Sequence, residues 1–412
     1  MWKQPWRFFE GWTICIGLFI IGTFLQLSIG KINPESFKFP INVIIGTIFL
    51  LCLLFFHIRS DKIKKLRWFT GRQAALTSLS ALLFLVILMG LTRQLSHTID
   101  VSSEKFLIRL GFMQMTVSWQ FILISFYFLW VLGLVTLRRL SSFRMKDLGF
   151  VLNHGGLFIV FFTAILGSCD LQRLIMSVPI NVPEWRATNS KNEIVELPLA
   201  IELNSFTIDE YPPKLMLLDN KTGEVLPKKK PKNVAIEETP FVTELLGWKL
   251  EITKYLPYAA GVHTKDSLKF VEYYSDGATS ALYVKAQNIT DGDTTEGWIS
   301  CGNFMFQYAA LRLNENVSLI MLDREPRRYV SDVTVYIKKG DTKNALIEVN
   351  KPFSIDGWKI YQSSYETFRG KWSTYSVFEL VKDPWLPAVY AGIVMLLIGS
   401  ILLLFTKHKK IV

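Results

Sequence analysis

Over its first 168 residues the chain alternates long apolar blocks with short polar connections, and beyond Cys169 the pattern changes. Six blocks reach roughly twenty residues, enough for a helix to cross the hydrocarbon core of a bilayer. They cover 11–29, 39–58, 74–91, 119–137, 148–167 and 385–405. Between the fifth and sixth block the period shortens to two. Apolar and polar residues alternate over 199–208, 215–218, 248–252, 317–322, 333–338 and 375–381, as they do along half-buried strands. Turn signals separate these windows: DNKTGE at 219–224, KKGD at 338–341 and SIDGW at 354–358. The predicted fold is an α-helical polytopic membrane protein with six transmembrane helices. A large, mostly β extracytoplasmic domain lies between helices five and six. The expected divisions are an N-terminal transmembrane hairpin at 1–72, a three-helix membrane core at 73–168, the β-rich domain at 169–384, and a last helix with a basic tail at 385–412.

Composition supports the membrane reading. Half of the 412 residues are hydrophobic, and mean hydropathy is +0.27. The net charge of +11 sits between apolar blocks, which points to cytoplasmic loops and not to nucleic acid. The second connection carries Arg59, Lys62, Lys64, Lys65, Arg67 and Arg72, and the fourth carries Arg138, Arg139, Arg144 and Lys146. Lys3 and Arg7 precede the first block, and Lys407, Lys409 and Lys410 follow the last. The opposite loops hold fewer cations: Lys31, Lys38, Arg93, Lys105 and Arg109. The positive-inside rule then puts both termini in the cytoplasm and the β-rich domain outside. The first block lacks a small-residue cleavage site and reads as a retained span. Most aromatic residues near block ends, Trp12, Trp68, Trp119 and Trp385 among them, read as interfacial anchors. The Lys-rich stretch 227–232, bracketed by prolines, reads as a solvated loop.

Candidate chemistry is sparse. Of five histidines, His408 and His263 read as surface groups, His97 follows the third block, and His57 closes the second. His154 alone lies inside a block, about 9 Å from its cytoplasmic end at the helical rise per residue. An ionisable group there is costly and marks a functional candidate. Asn153 precedes it, and Gly155 and Gly156 follow, small enough for a flat group or another helix to approach. Imidazole is a common haem ligand; a histidine bonded to a neighbouring helix for packing is the plain alternative. The four cysteines form no CxxC or CxxCH, which argues against a thioredoxin-like or c-type haem role. Cys169 and Cys301 could pair only if the fold brings them together. No Walker loop, GxGxxG, HExxH or GxSxG occurs in a plausible setting.

The segment SDVTVYIKKGDTKNALIEVNKPFSIDGWKIYQSSYE at 331–366, followed by YSVFELVKDPWLPAVYAGIVMLLIG at 375–399, resembles the ResB/CcsB family of cytochrome c maturation proteins. The matching elements are a Ser-Asp-Val-Thr-Val strand, a Gly-aromatic-Lys-Ile-Tyr-Gln-Ser stretch, and Val-Lys-Asp-Pro entering the last span. A His-Gly span before the outer domain is a fourth. The resemblance runs from about Ala74 to Phe405, which makes the first two spans look like an addition. It implies a subunit of a two-component (System II) haem-lyase complex, with the thioether-forming act belonging to the complex. It implies haem b in transit, with His154 as axial ligand and a second imidazole from a CcsA-like partner, and Asn153, Gly155 and Gly156 around the ligand. His57 and His97 are weaker candidates. Apocytochrome c is the implied client, a thiol-reducing protein a further partner, and the bacterial inner membrane the site. Arg138, Arg139 and Arg144, near the cytoplasmic end of the fourth span, could pair with haem propionates or only set topology. The segments 356–365 and 383–385 are candidate docking elements, or else a turn and a strand-to-helix join. A membrane sensor or scaffold with a ligand-binding outer domain, and a transporter of another solute, are the competing readings.

Overall fold

A computed structural model describes residues 6–60, 62–95, 106–264, 268–338 and 340–405, the side chains at 64 and 65 excepted. His97, His408, Lys3, Lys105, Lys407, Lys409 and Lys410 lie outside the described residues. The chain divides into two compact units, one of residues 1–173 with 381–412 and one of residues 174–380.

The first unit is helical. Its long helices are α1 (Phe8–Ile29), α2 (Ile41–Ser60), α3 (Arg72–Leu91), α4 (Trp119–Ser141), α5 (Leu148–Gly167) and α6 (Leu386–Phe405). All six belong to segments long and apolar enough to cross a membrane. They fall on the six predicted blocks, with ends shifted by a few residues. Helix α4 runs past Leu137 because Arg138 and Arg139 are good helix formers whose heads find partners nearby. Large apolar side chains such as Phe24, Leu83, Leu91 and Leu404 point away from the unit, the reverse of a water-soluble bundle.

One core joins α1, α3 and α4 through Cys15, Leu82, Leu85, Ile124, Phe128 and Val131. The N-terminal hairpin and the helices after it therefore share their packing. Gly22 of α1 lies against the α4 backbone, where a Cβ would come within 2.7 Å of Gln120. Gly46 of α2 lies against Leu166 and Phe162 of α5. Helices α5 and α6 approach each other through their backbones. Gly156 faces Gly392, and a Cβ on Gly156 would stand 2.6 Å from the Gly392 carbonyl oxygen. Gly149 and Gly399 repeat that approach seven residues away on each helix, the period of a seam between closely aligned helices.

The second unit is built of strands: β1 (Gln172–Pro179), β2 (Glu184–Thr188), β3 (Ile194–Glu210), β4 (Lys214–Asp219), β5 (Val234–Ala235), β6 (Phe241–Leu245), β7 (Trp248–His263), β8 (Leu268–Glu272) and β9 (Thr279–Asn288). After them come β10 (Thr294–Ser300), β11 (Leu311–Arg312), β12 (Val317–Met321), β13 (Pro326–Ile337), β14 (Thr342–Glu348), β15 (Phe353–Ile355), β16 (Trp358–Tyr365) and β17 (Tyr375–Lys382). Eight form one sheet in the order β14-β13-β3-β2-β1-β17-β16-β15. Its terminal strand β14 meets β15 and β16, so the sheet curls around its own core of Met176, Ile201, Val333, Ile347, Ile360 and Phe378. The remaining strands form a sheet in the order β10-β9-β7-β6, with β8 on β7, and a second in the order β11-β12-β4-β5. These two face each other across Leu215, Leu217, Leu250, Ile252, Leu282, Val284 and Leu319. The alternating burial of Trp248, Leu250 and Ile252 is the pattern the sequence predicts. The turn at 354–358 places Asp356 and Gly357 at φ +48° and +79°, the left-handed pair a two-residue hairpin requires.

Candidate functional site

Helix α5 has two working faces. Gly149, Asn153, Gly156 and Thr163 follow a heptad spacing, and the first three meet α6. Asn153 is committed there: its Nδ2 donates to Ser400 Oγ at 2.8 Å. Gly156 is likewise used for the α5–α6 contact. Gly155 keeps ordinary distances: a Cβ added there would meet only Met395 and Thr136 methyl groups, at 3.8 and 3.9 Å.

His154 points elsewhere, because one residue rotates a helix by about 100°. It is half-buried. Phe150, one turn earlier on the same face, stacks on the imidazole with centroids 3.8 Å apart and planes 18° from parallel. His154 Nδ1 lies 3.2 Å from the Phe150 carbonyl oxygen. A carbonyl only accepts, so Nδ1 carries the proton and Nε2 carries the lone pair. Nε2 has no hydrogen-bond partner among the described residues, and it is not a sealed atom. The ring is thus held in one tautomer, with Nε2 open. In metal sites generally, a carbonyl or carboxylate on the far ring nitrogen fixes a ligating histidine in the same way.

The cations expected near this end of α4 are largely engaged. Arg139 Nη2 meets Asp147 Oδ1 at 2.6 Å, and Arg144 Nε lies 3.7 Å from Asp147 Oδ2. Asp147 is buried just before α5. Arg138 donates to Thr70 Oγ1 at 2.8 Å. Arg139 also sits 5.7 Å from the centre of the Phe150 ring. Asp147, Arg139, Phe150 and His154 therefore form a continuous line of contacts. Phe150 was not among the residues the sequence pattern marked; an aromatic four residues before the histidine is its only signal. His57 on α2 has Nε2 2.7 Å from Ser141 Oγ, while its buried Nδ1 has no partner. Among the described residues no hydrogen bond or ring contact joins His57 to His154.

Outside the spans, Asp170 gathers three donors. Its carboxylate accepts from Phe39 N at 2.8 Å, Asn42 Nδ2 at 2.7 Å and Trp385 Nε1 at 2.7 Å. Partial burial pushes its pKa up, but these hydrogen bonds outweigh that and hold it below the usual value. All four cysteines are free thiols. Among the described residues no group of three or more His, Cys, Asp or Glu side chains is placed to hold a metal.

In the β-rich unit the short motifs singled out in the sequence come together. Ser331, which opens SDVTV, donates to Gln362 of IYQS at 2.6 Å and lies 2.8 Å from Ser376 Oγ on β17. Gln362 donates in turn to the Ser364 carbonyl. Ser331 and Ser376 are fully buried, and a buried polar group needs such a partner. The motif residues are therefore joints of the curled sheet. The segment 383–385 behaves as a strand-to-helix join, with Asp383 Oδ1 accepting from Trp385 N at 3.1 Å. Glu210, Arg324 and Lys371 form a half-buried charge cluster: Glu210 Oε2 lies 3.1 Å from Arg324 and 3.7 Å from Lys371. Burial pushes the Lys371 ammonium down from the ordinary lysine range.

No curated protein matches the chain. The stretch from the β8–β9 turn through β16, which holds Ser331 and Gln362, does match a known family: residues 276–374 fit the model of the ResB-like family.

Proposed function

We propose that this protein is a cytochrome c maturation factor, the membrane subunit of a haem-handling complex. In this reading it carries haem b across the bilayer and helps present it to the CxxCH motif of apocytochrome c. A CcsA-like partner supplies the second imidazole, both termini are cytoplasmic, and the β-rich unit faces the outer side of a bacterial inner membrane. The ResB-like match supports a role in cytochrome c biogenesis. The observation that carries the assignment to a residue is the open Nε2 of His154, in a helix apolar enough to span a membrane.

The chain's own residues do the following. The Phe150 carbonyl holds the proton on Nδ1 and keeps Nε2 basic. The Phe150 ring limits rotation of the imidazole. His154 Nε2 would hold the iron of a bound haem, with a second imidazole from the partner, and that ligation would limit its reaction with oxygen. Arg139, tied on one side to Asp147 and 45% exposed, retains N–H groups for a propionate. Asn153 and Gly156 keep α5 seated on α6.

The test is the reduced visible spectrum of the protein purified with its partner, for wild type and His154→Ala. Haem retention falls by at least about tenfold in the variant, with the complex intact, and added imidazole restores part of it. Equal haem in both proteins would remove His154 as a ligand. Absence of haem from both would favour the sensor or scaffold reading.

A further inference from the structure

A second site lies in the helical unit, at the C-terminal end of α1. A cavity of about 380 Å³ is lined by Gln26, Leu27, Lys31, Ile108, Arg109 and Gln114, among others. This is the end of α1 away from the basic connections at 59–72 and 138–146. The walls are mixed: apolar side chains on the helix flank, and two cations with two amides at the mouth. Among the described residues no carboxylate lines it.

Two observations show that the lining is short of acceptors. Gln26 is only 6% exposed, and its Oε1 is occupied by Trp119 N at 3.3 Å. Its Nε2 donates to nothing among the described residues and is not sealed, and Gln26 is part of the cavity wall. A near-buried amide N–H without an acceptor is unfavourable, most of all at the edge of hydrocarbon. Arg109 is the second. It is exposed and makes no hydrogen bond, ion pair or ring contact among the described residues. An anionic oxygen cluster placed between Gln26 Nε2 and the Arg109 guanidinium would satisfy both. Leu27 and Ile108 would flank the start of an acyl chain.

We propose that this cavity binds the phosphate headgroup of an anionic phospholipid, in the leaflet opposite the basic loops. The site rests on the six helices being membrane spans and not on any role in haem handling. A tetrahedral phosphate matches the planar donor fork of Arg109. The apolar flank separates a lipid from a free anion, which would gain nothing from Leu27 and Ile108.

The experiment measures the thermal midpoint of the purified full-length protein in mild detergent. Phosphatidylglycerol, phosphatidylethanolamine or inorganic phosphate is added at matched concentration, to wild type and to Arg109→Gln. Because Arg109 has no partner to lose among the described residues, the variant folds, which circular dichroism checks. Phosphatidylglycerol raises the wild-type midpoint, and its apparent affinity drops about fivefold or more in the variant. Phosphatidylethanolamine and inorganic phosphate have little effect on either protein. An equal response to inorganic phosphate would overturn the lipid assignment in favour of a free-anion site. An equal response of wild type and variant to phosphatidylglycerol would overturn the site itself.

Discussion

The two ring nitrogens of His154 meet different surroundings in a helix apolar enough to span a membrane. Nδ1 faces a carbonyl one turn back, and Nε2 faces none. The presence of an ionisable group in an apolar block was legible from the sequence. Its tautomer was not, since that depends on a rotamer set by stacking on Phe150. The neighbouring small residues were legible as a set but not by role. Gly155 and Gly156 look alike in sequence, yet a Cβ at Gly156 would stand 2.6 Å from a carbonyl oxygen, whereas one at Gly155 meets only methyl groups at 3.8 Å or more. Gly156→Val should therefore destabilise the α5–α6 pair by about 1–3 kcal/mol or more. Gly155→Ala should be neutral or stabilising by up to about 1 kcal/mol, through helix propensity. Detergent-melting midpoints of the two variants check this; equal losses would mean the two helices do not pack as described.

At the scale of elements, Asp170 draws the start of α2, the end of α5 and the start of α6 to one carboxylate. Removing it in Asp170→Ala strands the donors of Asn42 and Trp385, at a cost of about 1–3 kcal/mol. The pKa is depressed in the folded state, so the stabilisation is present above the unfolded value near pH 4 and is lost as pH falls through the folded value. The stability difference between wild type and Asp170→Ala should then shrink below about pH 4; a difference constant with pH would exclude the carboxylate as its source. Nothing in the sequence signals this tie, because its partners are 131 and 215 residues from Asp170. Strands show the same limit. Short alternating windows were readable, but β7 continues from Trp248 to His263 through Pro257, where the register to β9 shifts between Leu256 and Ala259. A proline tolerated at a bulge reads, in sequence, as the end of a strand. The pairing of β4 with β12 joins Leu217 to Leu319, a non-local contact that periodicity cannot announce.

For the whole molecule, the sequence conveyed the division into apolar blocks and an alternating middle, because both depend on local patterning. It did not convey that the alternating middle holds separate cores, the two largest lying inside a curled eight-stranded sheet and between two smaller sheets. Each core is closed by pairing within residues 174–380. A polypeptide of residues 172–382, expressed alone in an oxidising or reducing compartment, should fold to a β-rich, soluble unit that unfolds cooperatively; its single cysteine, Cys301, gives no reason for dependence on oxidant. A disordered or aggregated product would show that the helical unit is needed for its closure.

The adjacency of β1 and β17 in the sheet has a consequence for how such a chain can change. The first and last strands of the unit are neighbours, separated by about 4.8 Å as paired strands are. The helices they lead from and into, α5 and α6, are themselves in contact through facing glycines. The β-rich unit is therefore an insert with coincident ends, like a long loop between two touching helices. An insert of this kind can be enlarged, exchanged or removed by recombination without re-threading the helices, leaving the imidazole-bearing span and its partner helix joined by a short turn.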